Sequence, residues 1–282
     1  MSLSAEHGGL IPAESADNPS FFAKLPPEQK VRAVKLIEER RKRRAQALFH
    51  KIYGEQDTVW DGPSIMGGLV EPGQVLHRRE LYPKHMEFFK ATNWRESCFM
   101  AANRVGKTFG GGGFALACFL TGIYPKWWPG HRFRGPISAW AAGDTYETTR
   151  DIIQLTLLGE ISYNGGRKVM DGRGIIPGSR LGRNTWRSGV QDLVDTIAVK
   201  HVSGQWSFLG LKSYDQGRKV FQGTGRHVIW FDEEPPADVY GEALIRTATV
   251  GGLVMLTFTP LSGMSDVVLS FMAPEDKPAT FD

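Results

Sequence analysis

Apolar residues in this chain gather into short unbroken runs, separated by turn-forming stretches and alternating with segments of helical period. Cys98–Ala102 suits a buried strand, and the Gly-, Ala-, Phe- and Leu-rich run Phe109–Leu120 predicts a helix packed on a sheet. Pro136–Ala142 reads as a second buried strand, followed by a helix through Leu158 capped by Asp144 or Thr145. Thr196–His201 and Gln205–Leu211, split by Ser203-Gly204, alternate enough for a strand pair. His227–Asp232 is continuously apolar until its last residue, as a parallel strand covered on both faces should be. A helix over Ala237–Thr249 and a strand over Gly252–Phe258 continue the alternation. The pattern predicts an α/β fold: a central, mainly parallel sheet with helices on both faces.

The flanks read differently. Residues 1–25 carry little apolar periodicity and predict a loose arm. A helix is expected from Pro26 to about His50, with Val31, Val34, Leu36 and Ile37 on one side and the run Arg40-Arg41-Lys42-Arg43-Arg44 in its second half. Residues 53–75 are a Gly/Pro-rich loop. This divides the chain into an N-terminal arm and basic helix (1–60) and a core domain (61–282). Residues 159–195 are Gly- and Arg-rich, predicting loops and short hairpins, with Arg167, Arg173, Arg180, Arg183 and Arg187 as a second candidate DNA-facing surface after the N-terminal helix.

Composition adds bounds. The 282 residues carry a net charge of +4, which permits a polyanionic partner without demanding one. No run approaches 18 uncharged apolar residues, and Met1–Gly9 has neither the basic start nor the apolar core of a secretory signal. Cys98 and Cys118, the two cysteines, lie in apolar segments, as core residues of a reduced protein do. There is no Cys/His metal spacing and no Gly-x-Ser-x-Gly nucleophile motif.

The candidate chemistry lies at strand ends. Ala101-Ala102-Asn103-Arg104-Val105-Gly106-Lys107-Thr108, between a strand and a helix, reads as a phosphate-binding loop with Ala101 in place of the usual first Gly. Its backbone N–H groups would wrap phosphates, Lys107 would reach the β/γ oxygens, and Thr108 would hold Mg²⁺. Asp232 ends a buried strand, at the sheet edge where ligands bind, and would hold the Mg²⁺ water shell. Glu233, one residue on, would polarise an attacking water. Thr257 and Thr259 would sit beside the γ-phosphate if their strand neighbours the loop strand. Tyr82-Pro83-Lys84-His85, just upstream, is an aromatic-Pro step able to clamp an adenine. Together these predict a Mg-ATP hydrolase.

With those pieces named, the chain resembles the ATPase domain of the large terminase subunit of tailed bacteriophages, over roughly residues 78–265. The resemblance rests on Tyr82–His85, the Ala101–Thr108 loop, Phe221-Gln222-Gly223-Thr224, Trp230–Pro235 and Thr257-Phe258-Thr259-Pro260. It implies a P-loop fold of the ASCE type and a motor that drives double-stranded DNA into a procapsid. It also implies a homo-oligomeric ring when active, with the isolated chain monomeric. The implied partners are the portal protein and the small terminase subunit. The implied place is the host cytoplasm and, transiently, the portal vertex, not the mature virion. By position, Tyr82, Pro83 and His85 resemble the adenine-binding segment, although relatives usually carry Gln where His85 stands. Ala102, Asn103, Arg104, Val105, Gly106, Lys107 and Thr108 match the phosphate loop, with Arg104 as the family's extra loop arginine. Asp232 matches the second metal contact and Glu233 the catalytic glutamate, while Thr257 and Thr259 match the coupling motif. Arg218, ahead of Arg226, is the expected arginine finger. Large terminases normally continue into a nuclease domain; with the chain ending at Asp282, no DNA cleavage is expected from it. The rival reading is a helicase-like or other DNA-dependent translocase ATPase.

Overall fold

The computed structural model describes residues 26, 30–31, 52–53, 57–59, 75–261 and 263–272. The expected arm and nearly all of the basic helix, including Arg40–Arg44, lie outside the described residues. The two ends of the Gly/Pro-rich stretch form a small antiparallel pair, β1 (Asp57–Val59) and β2 (Val75–His77), where the sequence predicts only loop. Ile52 and Tyr53, assigned by sequence to the arm, are buried in the main core. The Tyr53 hydroxyl donates to Gly110 O at 2.9 Å.

From there the chain alternates as expected. α1 (Pro83–Ala91) leads into β3 (Glu96–Met100). The loop then enters a wide π-helical coil, Lys107–Gly113, which tightens into α2 (Phe114–Thr121). β4 (Ser138–Gly143) is followed by α3 (Tyr146–Thr148), a π-helical stretch (Thr149–Gln154) and α4 (Leu155–Leu158). Thr145 caps this helical run by accepting a hydrogen bond from Thr148 N. A hairpin of β5 (Ile161–Asn164) and β6 (Arg167–Met170) precedes β7 (Leu181–Trp186), β8 (Val194–Lys200) and β9 (Trp206–Ser213). β10 (Val228–Asp232), α5 (Ala237–Ala248), β11 (Leu253–Phe258) and α6 (Asp266–Phe271) follow.

Seven strands form the main sheet in the order β3-β11-β10-β4-β9-β8-β7. The first five run parallel, and β8 and β7 extend the edge antiparallel. β7 belongs to the main sheet although the sequence predicts only loops and short hairpins there, because Leu-Gly-Arg-Asn-Thr-Trp packs only Leu181 and Trp186 on the core and shows no apolar run. α1, α2 and the helical run cover one face, while α5 and α6 cover part of the other. Every residue of α2 is buried, so this helix exists only as a covered element. Among the described residues no helix is long and apolar enough to cross a membrane.

Alternation along β10 decides where chemistry can occur. Val228 and Trp230 face α2, so Asp232 does as well, whereas Ile229 and Phe231 face α5. Asp232 pairs in register with Thr257 of β11, and Thr257 with Phe99 of β3. The loop strand and the carboxylate strand are thus separated by one strand, which places Thr257 between them.

The glycine run Gly110–Gly113 lets the π-helical coil lie against this surface. A Cβ on Gly112 would come within 2.2 Å of Trp230 Nε1. Gly112→Ala should therefore destabilise the protein by about 3 kcal/mol. In a thermal melt that is a Tm lower by roughly 10 °C.

Candidate nucleotide-binding site

The loop between β3 and α2 is shaped by two left-handed residues, Arg104 (φ +65°) and Gly106 (φ +81°). Gly106 supports the conformation at no steric penalty, whereas Arg104 holds it against one. Lys107 is nearly buried, and its ammonium donates to Ala101 O (2.9 Å), Ala102 O (2.8 Å) and Thr259 Oγ1 (2.9 Å). All three ammonium donors thus meet oxygens, holding the loop closed around a cation. Thr259 also lies 2.7 Å from Asn103 Oδ1, tying the end of β11 to the loop.

Below the loop, a hydrogen-bonded chain links β10, β11 and the start of the π-helical coil. Trp230 Nε1 donates to Thr257 Oγ1 (2.8 Å), and Thr257 donates to Asp232 Oδ1 (2.8 Å). The Thr108 hydroxyl lies 2.9 and 3.0 Å from the two Asp232 oxygens. Burial pushes the Asp232 carboxyl up to about 6, against the pull of the Thr257 and Thr108 hydrogen bonds. Glu233 adds a smaller upward push, and Lys107 a smaller downward one. A buried carboxylate facing a threonine hydroxyl is a pair of hard oxygen donors left short of positive charge. That donor set fits Mg²⁺, which takes one or two carboxylates together with substrate phosphates and water. Among the described residues no group of three or more His, Cys, Asp or Glu side chains is placed to hold a metal alone.

Glu233 adopts φ +86°, a strained conformation for a side chain of this size. Its N–H donates to Thr257 O (3.0 Å), and its C=O lies 2.9 Å from the buried Tyr214 hydroxyl. That hydroxyl is also 3.0 Å from Ala142 O and 3.3 Å from Asp232 O. Burial raises the Tyr214 pKa, and Asp232, Glu233 and Asp144 raise it further, so the phenol stays a proton donor to this turn. The twisted backbone sends the Glu233 side chain to the surface while Asp232 stays inside.

The family described as "Terminase large subunit, T4likevirus-type, N-terminal" matches residues 98–281. The chain belongs to the large-terminase family. It is 40% identical over 223 residues to the terminase large subunit of Salmonella phage P22, a match covering 72% of this chain. The chain spans 43% of that relative's length. It is similar to the large terminase of a thermophilic bacteriophage, with a TM-score of 0.43 and 13% identity, over 63% of this chain and 38% of that one. It is also similar to the large terminase ATPase domain of Thermus phage P74-26, with a TM-score of 0.38 and 16% identity, over 64% of this chain and 68% of that one.

In this terminase chain, Lys107, Thr108, Asp232, Thr257 and Thr259 converge. Ala102, Asn103, Arg104 and Val105 form the exposed rim of the loop. Tyr82 and Pro83 lie at the start of α1, with Tyr82 partly exposed. His85 lies deeper. It is 5% exposed and ringed by Tyr53, Tyr82 and Phe99, with Nε2 turned toward Gly106 and Gly110 beneath the loop. Burial lowers its pKa. The ring packs beneath the loop and supports it from below.

Arg218 lies in an ion pair within its own chain. Its Nε donates to Glu242 Oε2 (2.8 Å), and Arg246 holds the other oxygen of that buried carboxylate. Arg218 thus serves its own chain as a counter-ion, and Glu242, between two guanidiniums, sits below the usual carboxylate range. Sequence reasoning missed Tyr214 and the Trp230 donor. A lone Tyr after a strand carries no signal, but the four-glycine run facing a strand Trp is a readable sign of close approach.

Proposed function

We propose that this terminase chain binds Mg²⁺-ATP and hydrolyses it as the motor segment that drives double-stranded DNA into a procapsid. The observation that carries the reading is the Thr108–Asp232 contact. Residues 124 apart in sequence meet at 2.9 Å below a loop whose lysine is already surrounded by oxygens. Lys107 would exchange its three loop oxygens for β/γ-phosphate oxygens, and the loop N–H groups would bind the rest. Thr108 and Asp232 would hold Mg²⁺, which when bound neutralises charge on the β- and γ-oxygens. Glu233 would orient the attacking water and take its proton. Arg104, on the exposed rim, would add positive charge near the phosphates. Because Thr259 bridges Lys107 and Asn103 while Thr257 bridges Asp232 and Trp230, β11 would shift whenever the phosphate leaves.

From the resemblance to large terminases we further propose a ring of copies on a portal in the host cytoplasm, with a small subunit assisting and an arginine supplied by a neighbouring copy. Such an arginine is worth roughly 10³–10⁵ in rate. Steady-state hydrolysis with Mg²⁺, with and without duplex DNA, over a range of protein concentrations tests this. Specific activity should be low in dilute solution, rise with protein concentration and increase with duplex. A flat, DNA-independent rate would remove the motor reading and leave an ATPase; absence of both nucleotide binding and hydrolysis would remove both.

A further inference from the structure

On one face of the main sheet, α5 and α6 cover β11, β10 and β4, and this core ends at Trp140. Beyond Trp140, none of the described helices packs a core over the same face of β9, β8 and β7. Register fixes what stands there. Phe208 pairs with Ser138 and Ala198, Lys212 pairs with Ala142, and Trp206 pairs with Lys200, so all share the Trp140 face. Trp206 is 43% and Phe208 52% exposed, two large apolar side chains two residues apart on one face. Arg183, in the bulge of β7, and Lys200 are exposed as well.

The charge on this face is unbalanced. The Arg226 guanidinium lies 4.3 Å and the Lys212 ammonium 5.5 Å from the centroid of the Trp140 ring. Asp195 is the carboxylate that acts on Lys212, but Arg187 already holds it at 2.6 Å. Burial lowers the Lys212 pKa, Asp195 opposes that, and Arg187 and Arg226 lower it further. Cations gathered on an aromatic floor with one shared carboxylate are stabilised by an anionic partner.

We propose that the face of β7, β8 and β9 that the described helices leave open is a contact surface for the phosphate backbone of duplex DNA, with Arg183, Lys200, Lys212 and Arg226 as its cations. The choice of duplex among polyanions rests on the motor reading above. The hydrophobic edges of Trp206 and Phe208 lie against the sugars between phosphates.

The test is the fluorescence anisotropy of a labelled duplex of about 30 base pairs, titrated with the 282-residue chain between 50 and 200 mM salt. Arg183→Gln/Lys200→Gln removes two exposed cations without touching the core. The slope of log affinity against log salt should fall by about two, because each phosphate contact contributes about one. Affinity at 100 mM salt should fall at least tenfold, while Lys90→Gln on α1 changes neither. An unchanged slope in the double variant, an equal loss in Lys90→Gln, or no duplex binding by the wild type overturns the proposal. ATP hydrolysis measured on the same preparations stands apart: intact hydrolysis with an unchanged slope removes this surface alone.

Discussion

Replacing Glu233 by Gln should lower kcat for ATP hydrolysis by about 10³-fold, the middle of the range for loss of a positioned base. Nucleotide affinity should change less than about threefold, because the contacts proposed for binding belong to Lys107, Thr108, Asp232 and the loop backbone. The fold should also be unaffected. What holds the Glu233 backbone at φ +86° is its N–H on Thr257 O and the Tyr214 hydroxyl on its C=O, and neither involves its side chain. Single-turnover hydrolysis alongside equilibrium binding of a fluorescent nucleotide separates the two effects. The neighbouring Glu234 is hydrogen-bonded to the Ser265 hydroxyl, so it is occupied in packing α6. If Glu233→Gln hydrolyses at the wild-type rate, the catalytic carboxylate is misassigned and Glu234 becomes the one to test.

The parts of this site that sequence exposes are those whose local pattern and tertiary role coincide. β10 and β11 are covered on both faces, so their residues form unbroken apolar runs that end where chemistry begins, at Asp232 and Thr257. Gly106-Lys107-Thr108 is legible because a phosphate loop needs a left-handed glycine before a lysine and a hydroxyl. The remainder depends on contacts between distant segments. β7 hides in sequence because it is an edge strand with one open face and a bulge, and so shows no sustained period. The burial of His85 beneath the loop is set by the fold, not by its local sequence. The Arg218–Glu242 ion pair joins residues 24 apart, and no local pattern announces it. Tyr214 has no signal at all: its role arises from three carbonyls contributed by the ends of β4 and β10.

Asp232→Asn should separate stability from function, raising one and lowering the other. In the nucleotide-free protein the carboxyl is buried and its pKa lies at about 6, above its ordinary value of 3.8. A carboxyl raised on folding favours the folded state fully below its unfolded pKa, and that contribution is lost as pH rises from about 4 through about 6. At pH 7 to 8 the ionised Asp232 therefore destabilises the protein, by up to about 3 kcal/mol at 1.36 kcal/mol per pKa unit. Asparagine keeps the geometry: its oxygen still accepts from Thr257, and its NH₂ donates to Thr108 Oγ1. Nucleotide-free Asp232→Asn should thus melt several degrees above wild type at pH 7.5, and the gap should close as pH falls toward 5. Other carboxylates, such as Glu242 between its two guanidiniums, lose stability on acidification in both proteins, so the difference between the melts isolates Asp232. Hydrolysis should fall about 10³-fold, because a neutral amide draws a divalent cation poorly. A variant no more stable than wild type at pH 7.5, or a gap that widens toward pH 5, would show that Asp232 is not held ionised against its surroundings. If instead both effects appear together, the destabilised carboxylate is the part of the fold kept ready for a cation, its burial tolerated in the empty protein because magnesium and nucleotide relieve it.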